Sequence, residues 1–157
     1  MLDLGTSFLA SVARDPDAVA IVDGGERLAY AAWYRRISAV ADALGRLGLS
    51  RGDRLATVLT NSCAAATVHW ACQLAGVVVT PFNWRATAAE IDFVIENAEA
   101  KAIVFDAASA GAVAASAKAG GIPRIAVEVE AAGAEPYEAI AAAAAPDATP
   151  RAGADDW

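Results

Sequence analysis

The sequence predicts an α/β fold: an open, mostly parallel sheet with helices on both faces, preceded by a short helix and a β-hairpin. Three observations carry that expectation. Residues 61–90 contain in succession a helical stretch, a Gly stop, a short β-branched run, a Pro-ended loop and a capped helix start, which makes one turn of a βαβ winding. Strand starts fall at 54, 77 and 101, each about one βα unit from the next. Residues 54–59 form a mostly apolar run of the kind a parallel sheet buries on both faces.

The elements follow in order. Thr6 is a cap residue for a first helix reaching Arg14, with Phe8, Leu9 and Val12 on one side and Asp15-Pro16 as the stop. Residues 18–23 and 26–30 around Gly24-Gly25 read as a hairpin. The double Gly lacks both Gly-x-Gly-x-x-Gly and a following Gly-Lys-Ser/Thr, so it is a turn rather than a phosphate cradle. From 31 to 47, Trp33, Ile37, Val40, Ala41, Leu44 and Leu47 recur at three and four while Arg35, Arg36, Asp42 and Arg46 fill the other side. This amphipathic helix ends at Gly48 and starts weakly, because Ala29 offers no capping oxygen.

A turn at 50–53 leads into the strand at 54–59. The next helix spans 63–75, capped by Asn61 or Ser62 and stopped by Gly76; its apolar wrap predicts deep burial, with His69 packed or hydrogen-bonded rather than catalytic. Residues 77–80 are expected as a short buried strand closed by Pro81. Thr87-x-x-Glu90 is a capping box for a helix bearing Ile91, Val94 and Ile95. A strand at 101–106, an Ala-rich helix at 109–118, a strand at 122–129 and a short helix at 136–145 complete the pattern. Residues 1–145 therefore read as one α/β segment, and 146–157, rich in Ala, Asp, Pro and Gly, as a linker or exit loop.

Composition narrows the function classes. The chain has 157 residues, enough for one domain with a real core, and is 57% hydrophobic. Net charge is −7 and there is no Lys/Arg run, so a nucleic-acid backbone would meet a repulsive field. Cys63 and Cys72, beside a single His, fit neither zinc spacing nor a disulfide scaffold; buried reduced thiols and a cytoplasmic location are expected. Residues 63–82 are apolar, but His69, Gln73, Gly76 and Pro81 punctuate them into helix, cap and strand, so no membrane span is expected.

Four pieces in order carry a family resemblance. Leu74-Ala-Gly-Val-Val-Val-Thr-Pro-Phe-Asn-Trp-Arg85 resembles the Ala-Gly-x-Val-x-x-Pro-x-Asn-x-Arg segment near the start of adenylate-forming (AMP-binding) enzymes. Leu28-Ala-Tyr30 with Trp33, Leu49-Ser-Arg-Gly-Asp-Arg54 and Asn61-Ser62 resemble three other segments of that superfamily. Asn83-Trp84-Arg85 and the short loops favour its acyl-CoA synthetase branch. The resemblance implies an N-terminal fragment of an acid–CoA ligase. The complete enzyme would use ATP, CoA and Mg to turn a small-molecule carboxylic acid into its acyl-CoA through an acyl-adenylate. It also implies that the phosphate-gripping loop lies beyond Asp155-Asp156-Trp157, so this chain alone is expected to be inactive and to bind none of these cofactors tightly.

In an open α/β sheet ligands bind beyond the carboxyl ends of the strands. Asp23, residues 60–62, residues 82–85 and residues 106–109 occupy those ends, yet they supply no Ser/His/acid set. No catalytic and no metal-ligating residue is expected here; Asp23 and Asp106, with no second acid beside them, read as strand-end caps. Arg85 is the one cofactor-binding candidate. In some CoA ligases the Arg at this place reaches the phosphate of the CoA nucleotide, a task suited to a forked guanidinium; the other reading is a surface ion pair or loop anchor. Trp84 is read as packing on the sheet edge or stacking on a nucleotide. A non-catalytic binding or dimerisation module is one alternative to a ligase segment; a truncation or frameshift product, self-associating through its exposed edge and apolar faces, is another.

Overall fold

The computed structural model describes residues 3–153. Helix α1 (Leu4–Arg14) precedes a hairpin of β1 (Val19–Asp23) and β2 (Glu26–Ala29), which runs into α2 (Tyr30–Arg46). The α/β part follows as β3 (Arg54–Val58), α3 (Cys63–Ala75), β4 (Val78–Pro81), α4 (Ala88–Asn97), β5 (Ala100–Asp106), α5 (Ala110–Ala115), β6 (Arg124–Val127), β7 (Glu135–Pro136) and α6 (Tyr137–Ala142). The sheet has five strands in the order β4-β3-β5-β6-β7, all pairs parallel, and the hairpin forms a separate antiparallel pair.

The period-2 alternation of the central strands builds two cores. Leu55, Ala102, Val104, Ile125 and Val127 face the core shared with α1, α2, α3 and α6. Ala56, Val58, Ile103, Phe105 and Ala126 face the one under α4 and α5. Helices thus cover both faces, as the continuous apolar runs require. Phe8 fastens α1 to the body by stacking on Trp70 at 4.8 Å and meeting Trp33 edge-on at 5.6 Å. Trp33 Nε1 donates to Thr67 Oγ1 at 2.9 Å, so a buried indole joins α2 to α3 without an orphaned donor.

Local capping signals place several helix ends where expected. Ser62 caps α3 by accepting from Ala65 N, and Gly76 ends it at φ 71°, where a Cβ would lie 3.1 Å from Arg51 Cγ. Thr87 and Glu90 form the complete capping box of α4. Ala29 starts α2 with no side-chain hydrogen bond.

Other boundaries differ from expectation for identifiable reasons. The cap of α1 is Asp3, whose carboxylate accepts from Thr6 N at 2.7 Å and from Thr6 Oγ1 at 2.8 Å; an anion at a helix N-terminus prevails over the hydroxyl three residues on. β4 is a half-buried edge strand paired only with β3, and this position lets Pro81 end it without losing a ladder bond. α5 stops at Ala115 because Asp92 of α4 accepts from Ser116 Oγ at 2.5 Å and Lys118 N at 2.9 Å, turning the chain into a 3₁₀ turn at Ala119–Gly121. β6 ends at Val127 because Glu128 takes φ 54° and donates its N–H to Glu138. β7, which the sequence reading lacked, is only two residues long and sits at the other sheet edge. α6 ends at Ala142 rather than Ala145.

Residues 146–153 have no regular structure but lie across α2 and α3. Tyr34 OH donates to Ala148 O at 2.6 Å, Ala148 N donates to Ser38 Oγ at 3.0 Å, and Arg151 N donates to Leu74 O at 2.9 Å.

Candidate functional site

The carboxyl ends of β3, β4 and β5 gather the loops 59–62, 82–87 and 107–109 on one rim of the sheet. β3 connects through α3 to β4 on one side, whereas β5 connects through α5 to β6 on the other. The chain therefore diverges between β3 and β5, the topological switch point where doubly wound sheets open a crevice.

Asp106, at the end of β5 and 8% exposed, occupies that crevice. Its Oδ2 accepts from Thr60 N and Thr60 Oγ1, each at 2.7 Å. Its Oδ1 accepts from Ala108 N at 3.1 Å and Ser109 N at 3.3 Å. Ser109 Oγ donates to Val58 O at 2.6 Å, a second tie between the two strand ends. Burial pushes the Asp106 carboxyl up, but the Thr60 and loop donors outweigh it and hold the group below its ordinary value. Asp23 plays a similar part from the hairpin, accepting from Cys63 N at 2.7 Å at the start of α3. Both acids are strand-end caps.

Arg85 stands on the β4–α4 loop at the sheet edge, exposed. The loop is held by a tight local turn: Asn83 Oδ1 accepts from Arg85 N at 3.0 Å and Asn83 O accepts from Ala86 N at 2.9 Å. Buried Ala86 and the Thr87–Glu90 capping box anchor its far end. The Arg85 guanidinium lies 3.7 Å above the centroid of the half-buried Trp84 ring. The cation is held against the ring face, and a guanidinium so placed keeps forked N–H donors of the kind that suit a phosphate or carboxylate. Among the described residues no carboxylate pairs with Arg85.

Several other cations are engaged, among them Arg46 with Asp42. Arg36 makes a two-point bond to Glu26 at 2.8 and 3.0 Å; Arg54, Lys101 and Lys118 pair with Glu99, Asp53 and Glu96. Among the described residues no group of three or more His, Cys, Asp or Glu side chains is placed to hold a metal. His69 is exposed with its ring edge-on to Trp70, against the packed position expected for it. The helix face opposite buried Val68 and Cys72 carries it outward. Cys63 and Cys72 are buried and free, and burial pushes both thiols up, Cys72 far out of the reactive range. Tyr137 OH is buried without a hydrogen-bond partner among the described residues, and burial pushes it up to about 12. No helix is long and apolar enough to cross a membrane among the described residues. Asp155-Asp156-Trp157 lie outside the described residues.

The family model for AMP-binding enzymes matches residues 8–156. The chain belongs to the AMP-binding enzyme family. Among curated proteins it is similar to a feruloyl-CoA synthase of an Amycolatopsis species, 34% identical over 85% of this chain and 27% of the relative. It is also similar to the solved Mycobacterium tuberculosis fatty acyl CoA synthetase, with TM-score 0.84 and 26% identity over 98% of this chain and 31% of that one. A benzoate CoA ligase from Burkholderia xenovorans LB400 shares the fold, with TM-score 0.86 at 22% identity over 98% of this chain and 31% of that one. The chain therefore spans between a quarter and a third of the length of these AMP-binding relatives.

Proposed function

We propose that this chain forms the N-terminal part of an ATP-dependent acyl-CoA synthetase. The complete enzyme would convert a carboxylic acid, ATP and CoA into acyl-CoA, AMP and diphosphate through an acyl-adenylate, with Mg. The observation that carries this reading is the similarity to a feruloyl-CoA synthase along 85% of the chain. Residues 1–145 would supply the α/β scaffold and 146–157 the exit toward the phosphate-gripping segment. Arg85 would take a phosphate of CoA, with Trp84 holding the guanidinium plane. On the rim Thr60, Ala108 and Ser109 donate to Asp106 and Cys63 N donates to Asp23, while Arg36, Arg46, Arg54, Lys101 and Lys118 pair with acids. In this reading the described residues would lack the convergent cations and amides that a transferring phosphoryl group needs, and the chain would not adenylate alone. A cytoplasmic location goes with the use of ATP and CoA. Self-association of the isolated chain would use the open β4 edge and exposed Phe93, 65% accessible.

The test is ATP–pyrophosphate exchange by the complete reading frame across a panel of aromatic and aliphatic acids. Carboxylate-dependent exchange followed by CoA-dependent thioester formation is expected. A complete, folded chain that exchanges no pyrophosphate with any acid contradicts the reading.

A further inference from the structure

We propose that Asp106 is an internal carboxylate plug: it fills the switch-point crevice between β3 and β5 and positions the Thr60 loop, leaving ligands to approach the Arg85 side of the rim. In doubly wound sheets this crevice takes a ligand, and an incoming anion would be met by loop amides and hydroxyls. Here the same kinds of donor are present and converge on one carboxylate from the chain itself. Five donors reach its two oxygens: Thr60 N, Thr60 Oγ1, Ala108 N, Ser109 N and, at 3.4 Å, Ser109 Oγ. The bonds from Thr60 span 46 residues of sequence, so the contact is tertiary and joins two strand ends rather than closing a local turn. Asp23 takes the first amide of α3 in the same manner. A phosphate entering this crevice would have to displace the Asp106 carboxylate from these donors, and the two like charges would repel.

Asp106 is thus a positioning residue, acting through the Thr60 loop on the entry of α3. The inference concerns the shape and charge of the rim and stands whether or not the complete protein is a CoA ligase.

Replacing the carboxylate by a methyl leaves the donors aimed at an empty place of formate size. In the 157-residue chain, Asp106→Ala should melt below wild type. Sodium formate or acetate should raise the variant's midpoint by about 2–4 °C over sodium chloride of equal ionic strength, with no such difference in wild type. A variant indifferent to carboxylates, or a wild type that gains as much, overturns the plug. If Asp106→Ala does not fold, the cycle of Thr60→Val and Asp106→Asn decides. The double variant should lose clearly less midpoint than the two single losses added, because the donor and acceptor act on each other. Strict additivity overturns the proposal.

Discussion

Phe105→Ala is expected to lower the unfolding free energy by about 3–5 kcal/mol. Phe105 is 1% exposed on the central strand β5, between Val58 of β3 and Ala126 of β6, in the core under α4 and α5. Two strands and two helices converge on its ring, so the surroundings have little freedom to collapse into the space left. The lost transfer free energy and the cavity therefore add. The loss is comparable with the whole stability of a small domain, so Phe105→Leu is the graded companion, expected to cost about 1–2 kcal/mol. Phe93, 65% exposed on the outer side of α4, is the internal control; its alanine variant should stay within about 0.5 kcal/mol of wild type. Urea unfolding followed by tryptophan emission measures all three. Equal losses at 93 and 105 would mean that the two-layer packing described above is wrong.

If the complete protein is the proposed CoA ligase, Arg85→Ala in it is expected to raise KM for CoA about 10- to 100-fold, the range of one lost charge-assisted bond, with a much smaller effect on KM for ATP. The asymmetry is the informative part, because Arg85 sits on the edge loop after β4 and away from the Asp106 crevice. Arg85→Lys should recover little of the loss: an ammonium neither stacks on Trp84 as a plane nor offers two parallel donors. An unchanged KM for CoA in both variants would reduce Arg85 to a loop anchor.

The scaffold was legible where its signals are local. The Gly76 stop, the Ser62 cap and the Thr87–Glu90 box each act within a few residues, and α3 and α4 start where those signals stand. The apolar runs of β3 and β5 announced strands covered on both faces. What depends on strand order was not legible. The exposed edge of β4 follows from β5 crossing to the far side of β3, which no periodicity encodes. The early end of α5 depends on Asp92, which lies 24 residues before Ser116. At α1 two cap-type residues stood three apart, and the charged one prevailed. On the rim, Asp23 and Asp106 could be read as caps from their place after strands, but the partner of Asp106 is set by topology. Stacking of Arg85 on Trp84 joins neighbours in sequence, yet it depends on a turn whose hydrogen bonds come from Asn83.

Titration calorimetry of MgATP into the 157-residue chain tests most directly the claim that this segment is scaffold without triphosphate machinery. No saturable heat is expected up to about millimolar nucleotide. A one-site isotherm with micromolar affinity would contradict it.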